Sequence, residues 1–113
     1  MFGLKIVKED EVSINCPIQA LGAIIGKKWV GKIIWMLRDD KKRYGELQRM
    51  LPGCSKKMLS QQLELLIEYK IVINEKFEEK NKIESFYFLT PKGQDLVPVI
   101  HDMMAWGSDV MGC

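Results

Sequence analysis

A chain of 113 residues with a net charge of +2, 47% hydrophobic and 28% charged, is sized for one domain that buries its core without disulfides or a structural metal. Its apolar runs are short and broken by charge, which excludes a membrane span, and three widely spaced cysteines with one histidine make neither a disulfide framework nor a zinc motif. Acidic residues at Glu9, Asp10 and Glu11 stand where a signal peptide carries its apolar segment, so the expected location is the cytoplasm.

After an N-terminal arm over residues 1–15, Cys16-Pro17 opens a helix to about Ile25, since proline is pre-organised for the first helical position. Gly26 ends it. Trp29, Ile33 and Leu37 recur every four residues with Val30 and Ile34 beside them, which predicts a second helix to about Arg38. Asp39-Asp40-Lys41-Lys42 reads as the polar turn that follows. A third helix over Tyr44 to Met50 buries Leu47 and Leu51 and is stopped by Pro52-Gly53.

Ser55 caps a fourth helix whose first turn carries Lys56 and Lys57. Wound at 3.6 residues per turn, it sets Leu59, Leu63, Leu66 and Lys70 along one side, with Met58 and Ile67 flanking. Lys57, Ser60, Gln61, Glu64 and Glu68 take the other side, basic and amide groups first and acids last. Ile71–Phe77 and Ile83–Thr90 are β-rich runs joined by a loop over Glu78–Lys82, a hairpin placed where a wing would be. Thr90-Pro91 opens a last helix, in which Pro98 predicts a kink or a restart. Past Pro98, Met103, Met104, Trp106 and Val110 belong to an apolar face wider than one small core absorbs. A second copy of the chain is the simplest cover.

A short helix, a breaker, and a second helix opened by a serine cap and two lysines is the pattern of helix-turn-helix DNA docking, here over residues 44–70. Charge supports it: from Gly26 to Lys57 ten Lys/Arg face three Asp/Glu, +7, leaving −5 elsewhere. Lys57 and Gln61 are expected to face the major groove, with Gln61 able to pair bidentately with adenine and Ser60 able to meet several bases. Ser55 and Lys56 are expected near phosphates, with Tyr44 at the start of the preceding helix. Lys28, Lys42, Arg43, and Lys80 or Lys82 of the wing are assigned to backbone contacts. For the wing, Glu78 and Glu79 beside the lysines leave a plain solvated loop as the alternative.

The chain resembles the HxlR-type transcriptional regulators, winged helix-turn-helix proteins related in shape to the MarR group. The resemblance rests on Cys16-Pro17, Gly26-Lys-Lys-Trp29, Tyr44-Gly-Glu-Leu47, Leu51-Pro-Gly-Cys-Ser-Lys-Lys-Met-Leu-Ser-Gln-Gln-Leu63, Leu89-Thr-Pro-Lys-Gly93 and Trp106-Gly107, in that order. It departs at Ser85-Phe86-Tyr87, where a Val-Glu-Tyr run is usual, and at Cys54, where an aliphatic residue is usual; Cys54 is expected to be a small buried hydrophobe.

The resemblance implies an α+β, mostly helical winged helix-turn-helix fold, residues 71–90 forming the wing, with N- and C-terminal dimerisation helices, residues 91–113 forming the latter. It further implies a homodimer on an inverted-repeat operator in double-stranded DNA, with Phe2, Leu4 and Ile6 joining Met103, Met104, Trp106 and Val110 at the dimer seam. Some members use the cysteine at the Cys16 position to sense small-molecule oxidants or electrophiles, and a helix N-terminus does stabilise a thiolate. Packing under the dimer seam is the alternative role for Cys16, and Cys113 is within conceivable reach of it across a dimer.

Two other function classes compete. A winged-helix protein-interaction module without DNA affinity would use an exposed Phe86 and Phe88 edge, but lysine is depleted from protein-interface cores and the basic sector argues against it. A thiol enzyme centred on Cys16 lacks a partnering histidine, paired carboxylates or a phosphate loop. No enzyme activity, metal or cofactor is expected, and His101 falls among the polar positions of its helix.

Overall fold

Capping and breaker residues divide the described residues into five helices and three strands. The computed structural model describes residues 15–112. In order they are α1 (Asn15–Ile25), α2 (Val30–Met36), β1 (Lys42–Arg43), α3 (Tyr44–Met50), α4 (Lys56–Glu68), β2 (Val72–Glu79), β3 (Lys82–Leu89) and α5 (Pro91–Met111). Pro52-Gly53 stops α3, with Gly53 at φ +88°, a left-handed conformation that favours glycine. The Ser55 hydroxyl then accepts the Met58 N–H at 3.1 Å and opens α4. Thr90 caps α5 in the same way, accepting from the Gly93 N–H at 3.0 Å with Pro91 in the first turn.

The core lies where α2, α3 and α4 meet the sheet. Val30, Ile33, Ile34 and Leu37 of the α2 segment, Leu47 and Leu51 around α3, and Leu59, Leu63 and Leu66 of α4 are buried with Ile71, Val72, Leu89 and Ile100. Cys54 is buried among them, as a small hydrophobe should be. The sheet is antiparallel in the order β1-β3-β2, with Asn74 opposite Tyr87 and Glu79 opposite Lys82.

Several expectations are corrected. Lys42 is not the end of a polar turn but half of a two-residue strand, paired with Tyr87 of β3. Because β1 flanks β3, that strand is central, and Phe86 and Phe88 form no free edge; both are half-buried. The wing loop is not five residues long, since the ladder continues through Glu78 and Glu79 and closes at Lys80-Asn81. Both turn residues have positive φ, +50° and +65°, which a two-residue hairpin turn of this hand requires.

Lys70 does not continue the buried side of α4. The helix ends at Glu68, and Lys70 takes φ +61° while its N–H bonds to the Ile67 carbonyl and that of Ile71 to the Leu66 carbonyl. This paired C-terminal closure turns Lys70 to solvent and buries Ile71 beside Leu66. No restart occurs at Pro98 either: α5 is one helix from Pro91 to Met111, and docking of Ile100 and Gly93 into the core holds it through the proline. Phe2, Leu4, Ile6 and Cys113 lie outside the described residues, and of Cys16 only the backbone position, in the first turn of α1, is described.

Candidate nucleic-acid interface

The amphipathic winding of α4 decides which side chains face out. Leu59, Gln62, Leu63 and Leu66 are buried, so Ser55, Lys56, Lys57, Gln61, Glu64 and Glu68 are exposed on the remaining face, with Ser60 half-buried at its margin. The first half of that face carries two ammonium groups, a hydroxyl and an amide, and the second half two carboxylates. Ser55 accepts from a backbone N–H and retains its own hydroxyl proton for an external acceptor.

Tyr44 locks the two helices together. Its Oη donates to the Lys56 carbonyl at 2.8 Å and lies 2.9 Å from Ser60 Oγ. With the single phenolic proton committed to Lys56, the Ser60 hydroxyl donates to Tyr44 and faces outward as an acceptor only. The Tyr44 ring also stands 6.5 Å from that of Tyr87, bringing the start of α3 onto β3. Burial pushes the Tyr87 hydroxyl above its ordinary value.

Arg43 is held by carboxylates. Its Nε is 3.2 Å from Glu46 Oε1 and its Nη1 is 3.2 Å from Glu84 Oε1. The same Glu46 oxygen accepts the Arg43 backbone N–H, the half of a capping box in which the third helical residue reaches back. That backbone bond, then the guanidinium, hold the Glu46 carboxyl below its ordinary value. Lys42 lies beside this cluster and is half-buried in β1.

The anchor beneath α4 was not anticipated. Gln62 is 7% exposed, and its Oε1 accepts the backbone N–H of Trp29, 33 residues away, at 3.0 Å. Trp29 precedes the first helical residue of α2, so this N–H is one of the donors that a helix start leaves without an intrahelical partner. The clue was present, because positions 59, 62, 63 and 66 follow the i, i+3, i+4, i+7 rule of a buried face, with an amide in one slot. Lys28 stands next to this joint, its Nζ 5.1 Å from the Trp29 ring centre. Burial pushes the nearby Cys54 thiol up, opposed by Lys28.

The structure thus joins Tyr44, Lys56 and Ser60 in one hydrogen-bonded unit, with Ser55, Lys57 and Gln61 on the same helix. Lys80 and Lys82 sit apart at the exposed hairpin tip. On α5, Met103, Met104, Trp106 and Val110 are all exposed, Trp106 to 59% and Val110 to 62%. His101 is exposed too, its Nδ1 3.4 Å from Asp102. No helix of the described residues is long and apolar enough to cross a membrane.

Known proteins share this fold. A family model described as HxlR-like helix-turn-helix matches residues 24–112, a segment that does not include Cys16. The transcriptional regulator YodB of Bacillus subtilis is 36% identical over 92 residues, covering 80% of this chain and 81% of its own. The solved structure of the redox regulator HypR in its oxidized form superposes with a TM-score of 0.77 at 33% identity, over 83% of this chain and 96% of that one. The reduced form of Bacillus subtilis YodB gives 0.76 at 33% identity, over 84% and 92%. With a winged helix-turn-helix built as described and a family match over most of its length, the chain belongs to the HxlR-like helix-turn-helix family of transcriptional regulators.

Proposed function

We propose that two copies of the chain bind an inverted-repeat operator, each inserting the first half of α4 into the major groove. The carrying observation is the exposed row of Ser55, Lys56, Lys57 and Gln61 on a helix whose opposite face is buried and whose start is pinned by Tyr44. Thirteen residues make a rod about 20 Å long, and the acids in its second half favour a pose in which only the N-terminal half approaches phosphate. Lys57 and Gln61 read bases, Ser60 accepts from base amino groups, and Ser55 and Lys56 meet phosphates. Lys28, Lys42, Lys80 and Lys82 contact the backbone; Arg43 and Tyr44 position the helix, since their polar groups already have partners within the protein.

The second copy covers the exposed Met103, Met104, Trp106 and Val110, with Phe2, Leu4 and Ile6 of the arm at the same seam. Cys16, in the first turn of α1, is the oxidant- or electrophile-sensitive thiol, a reading supported by the helix-terminus position and by similarity to regulators described as redox regulators. An adduct there alters the spacing of the two α4 helices, which half-sites one turn apart require.

Gel-shift titration against DNA flanking this protein's own gene tests the reading, with sedimentation of the same samples. Saturable binding of a dimer to an inverted repeat is the expected outcome; a monomer at high concentration removes the cover for the α5 face. Diamide treatment of wild type and Cys16→Ser, with adducts mapped by mass spectrometry, tests the sensor. Equal responses from the two proteins reject it.

A further inference from the structure

Residues directly opposite in an antiparallel ladder share one face of the sheet, and the faces alternate along each strand. Val72 and Leu89 turn inward to the core, with Tyr87 against Tyr44. The outer face therefore carries Ile73 with Phe88, then Glu75 with Phe86, then Phe77 with Glu84. Ile73 is 36% and Phe77 40% exposed, while Phe86 and Phe88 are half-buried. Phe77 and Phe86 meet edge to face with ring centres 5.6 Å apart. Lys41, which leads into β1, holds its Nζ 5.1 and 4.9 Å from those two ring centres. Arg43 and Glu84 are spent on each other at the rim, whereas among the described residues neither Lys41 nor Glu75 has an ion-pair partner. Four large apolar side chains thus form an uncovered patch, with a cation reaching in from the β1 side and an anion on the β2 side.

We propose that this outer wing face is a contact between two copies of the chain, joining dimers that lie side by side on one DNA duplex. A copy turned about a two-fold axis parallel to the strands lays its β1 side over the β2 side of the first. Phe86 and Phe88, on the central strand, then meet their own copies, and Lys41 of each chain meets Glu75 of the other. The face is self-complementary, because the residues that meet their like are apolar and the charges that meet are opposite. Its size sets the strength: Ile73 to Phe77 spans about 14 Å and three strands about 10–15 Å, a footprint far below the roughly 800 Å² per partner of a stable complex. Free dimers therefore hold each other weakly, and neighbours on one duplex gain the effective concentration that the contact needs. Both interfaces already assigned leave this face open. Met103 lies about 20 Å along α5 from Thr90 at the foot of β3, and Tyr44, which pins the start of α4, adjoins the inner face. The linking of dimers on DNA rests on the operator reading; the contact itself does not.

The contact is tested on the full chain without DNA, from amide chemical shifts between about 20 μM and about 1 mM, a range that brackets a weak interface. Shifts at Ile73, Glu75 and Phe86 should move with concentration, and should stand still in Phe86→Gln and in the exposed-site variant Ile73→Gln. Lys41→Glu and Glu75→Lys should each weaken the association about tenfold by opposing like charges. The double variant carrying both changes should recover it, since the two charges have exchanged places. Absence of concentration-dependent shifts at this face overturns the proposal and leaves the patch to a different protein. Shifts that persist in both glutamine variants overturn it too, and failure of the double variant to recover overturns the two-fold pairing. The link to DNA is read separately, on a random-sequence duplex of about 200 base pairs at low salt. Wild type should fill it cooperatively, with a neighbour factor of about tenfold. Phe86→Gln should fill it without cooperativity, at unchanged affinity for a duplex that holds one dimer. Non-cooperative filling by wild type removes the linking role. Failure of every protein to bind DNA refutes the operator reading instead, and the shifts still decide the contact.

Discussion

Replacing Gln62 by leucine removes the acceptor of the Trp29 N–H while keeping side-chain bulk. Both residues are nearly enclosed, 7% and 5% exposed, so the N–H is left without a partner in a place water does not readily reach. An orphaned buried donor costs about 1–3 kcal/mol. Taking about 2 kcal/mol and a urea m-value of about 1.5 kcal/mol/M, the unfolding midpoint should fall by roughly 1.3 M with the slope unchanged. Melting temperature should drop by about 4–8 °C per kcal/mol. The neighbouring change Gln61→Leu, on the exposed face, should stay within about 0.5 kcal/mol of wild type. Tryptophan fluorescence reports both transitions, with Trp29 itself at the joint. A Gln62→Leu midpoint within about 0.3 M of wild type would refute the reasoning, since it would mean that the N–H is satisfied without the amide.

Gln61→Ala should cost about 1–3 kcal/mol at one operator position and little elsewhere, measured by titrating single-base operator variants; uniform weakening would place Gln61 outside the base-reading set. Lys28→Ala should flatten the slope of log affinity against log salt by about one unit, whereas Arg43→Ala should change it by less than half as much, because Glu46 and Glu84 already offset that cation. Gly93→Ala should destabilise the fold by about 1–3 kcal/mol in thermal melts, since its Cβ would be driven into the Ile71 carbonyl, which is backbone and cannot swing aside. Wild type should lose stability relative to Cys54→Val as pH rises from about 8.5, because the folded thiol, its pKa raised by burial, keeps a proton that the unfolded thiol has released. That contribution is whole below the ordinary thiol value and disappears as pH climbs through the folded one; a wild-type-minus-variant difference flat from pH 7 to 10 would contradict it.

Caps, breakers and periodicity were readable without coordinates because each acts over four residues or fewer. Pro52-Gly53 stops α3, Ser55 opens α4 and Thr90-Pro91 opens α5, since a missing N–H, a left-handed φ or a side-chain acceptor has the same local effect in any fold. The outward row of Lys57 and Gln61 followed from helical winding alone.

What needed the tertiary structure was every feature whose partner is distant in sequence. A two-residue strand at Lys42–Arg43 has no period to recognise and exists because β3 offers it a ladder. The tight turn at Lys80-Asn81 was set by the register of β2 on β3, which drew charged residues into strands. Arg43 is paired by Glu84 from 41 residues away, and the Ser60 hydroxyl is engaged by Tyr44 from 16 residues away, partners that no local pattern announces. Helical winding puts Gln62 on the buried face, but only the start of α2, 33 residues away, supplies the N–H that its amide accepts there. Local sequence determined where the helices begin, end and face; tertiary packing decided which polar groups are spent inside the molecule and which are left for a ligand, because a hydrogen bond or ion pair is satisfied by position in space and not by separation along the chain.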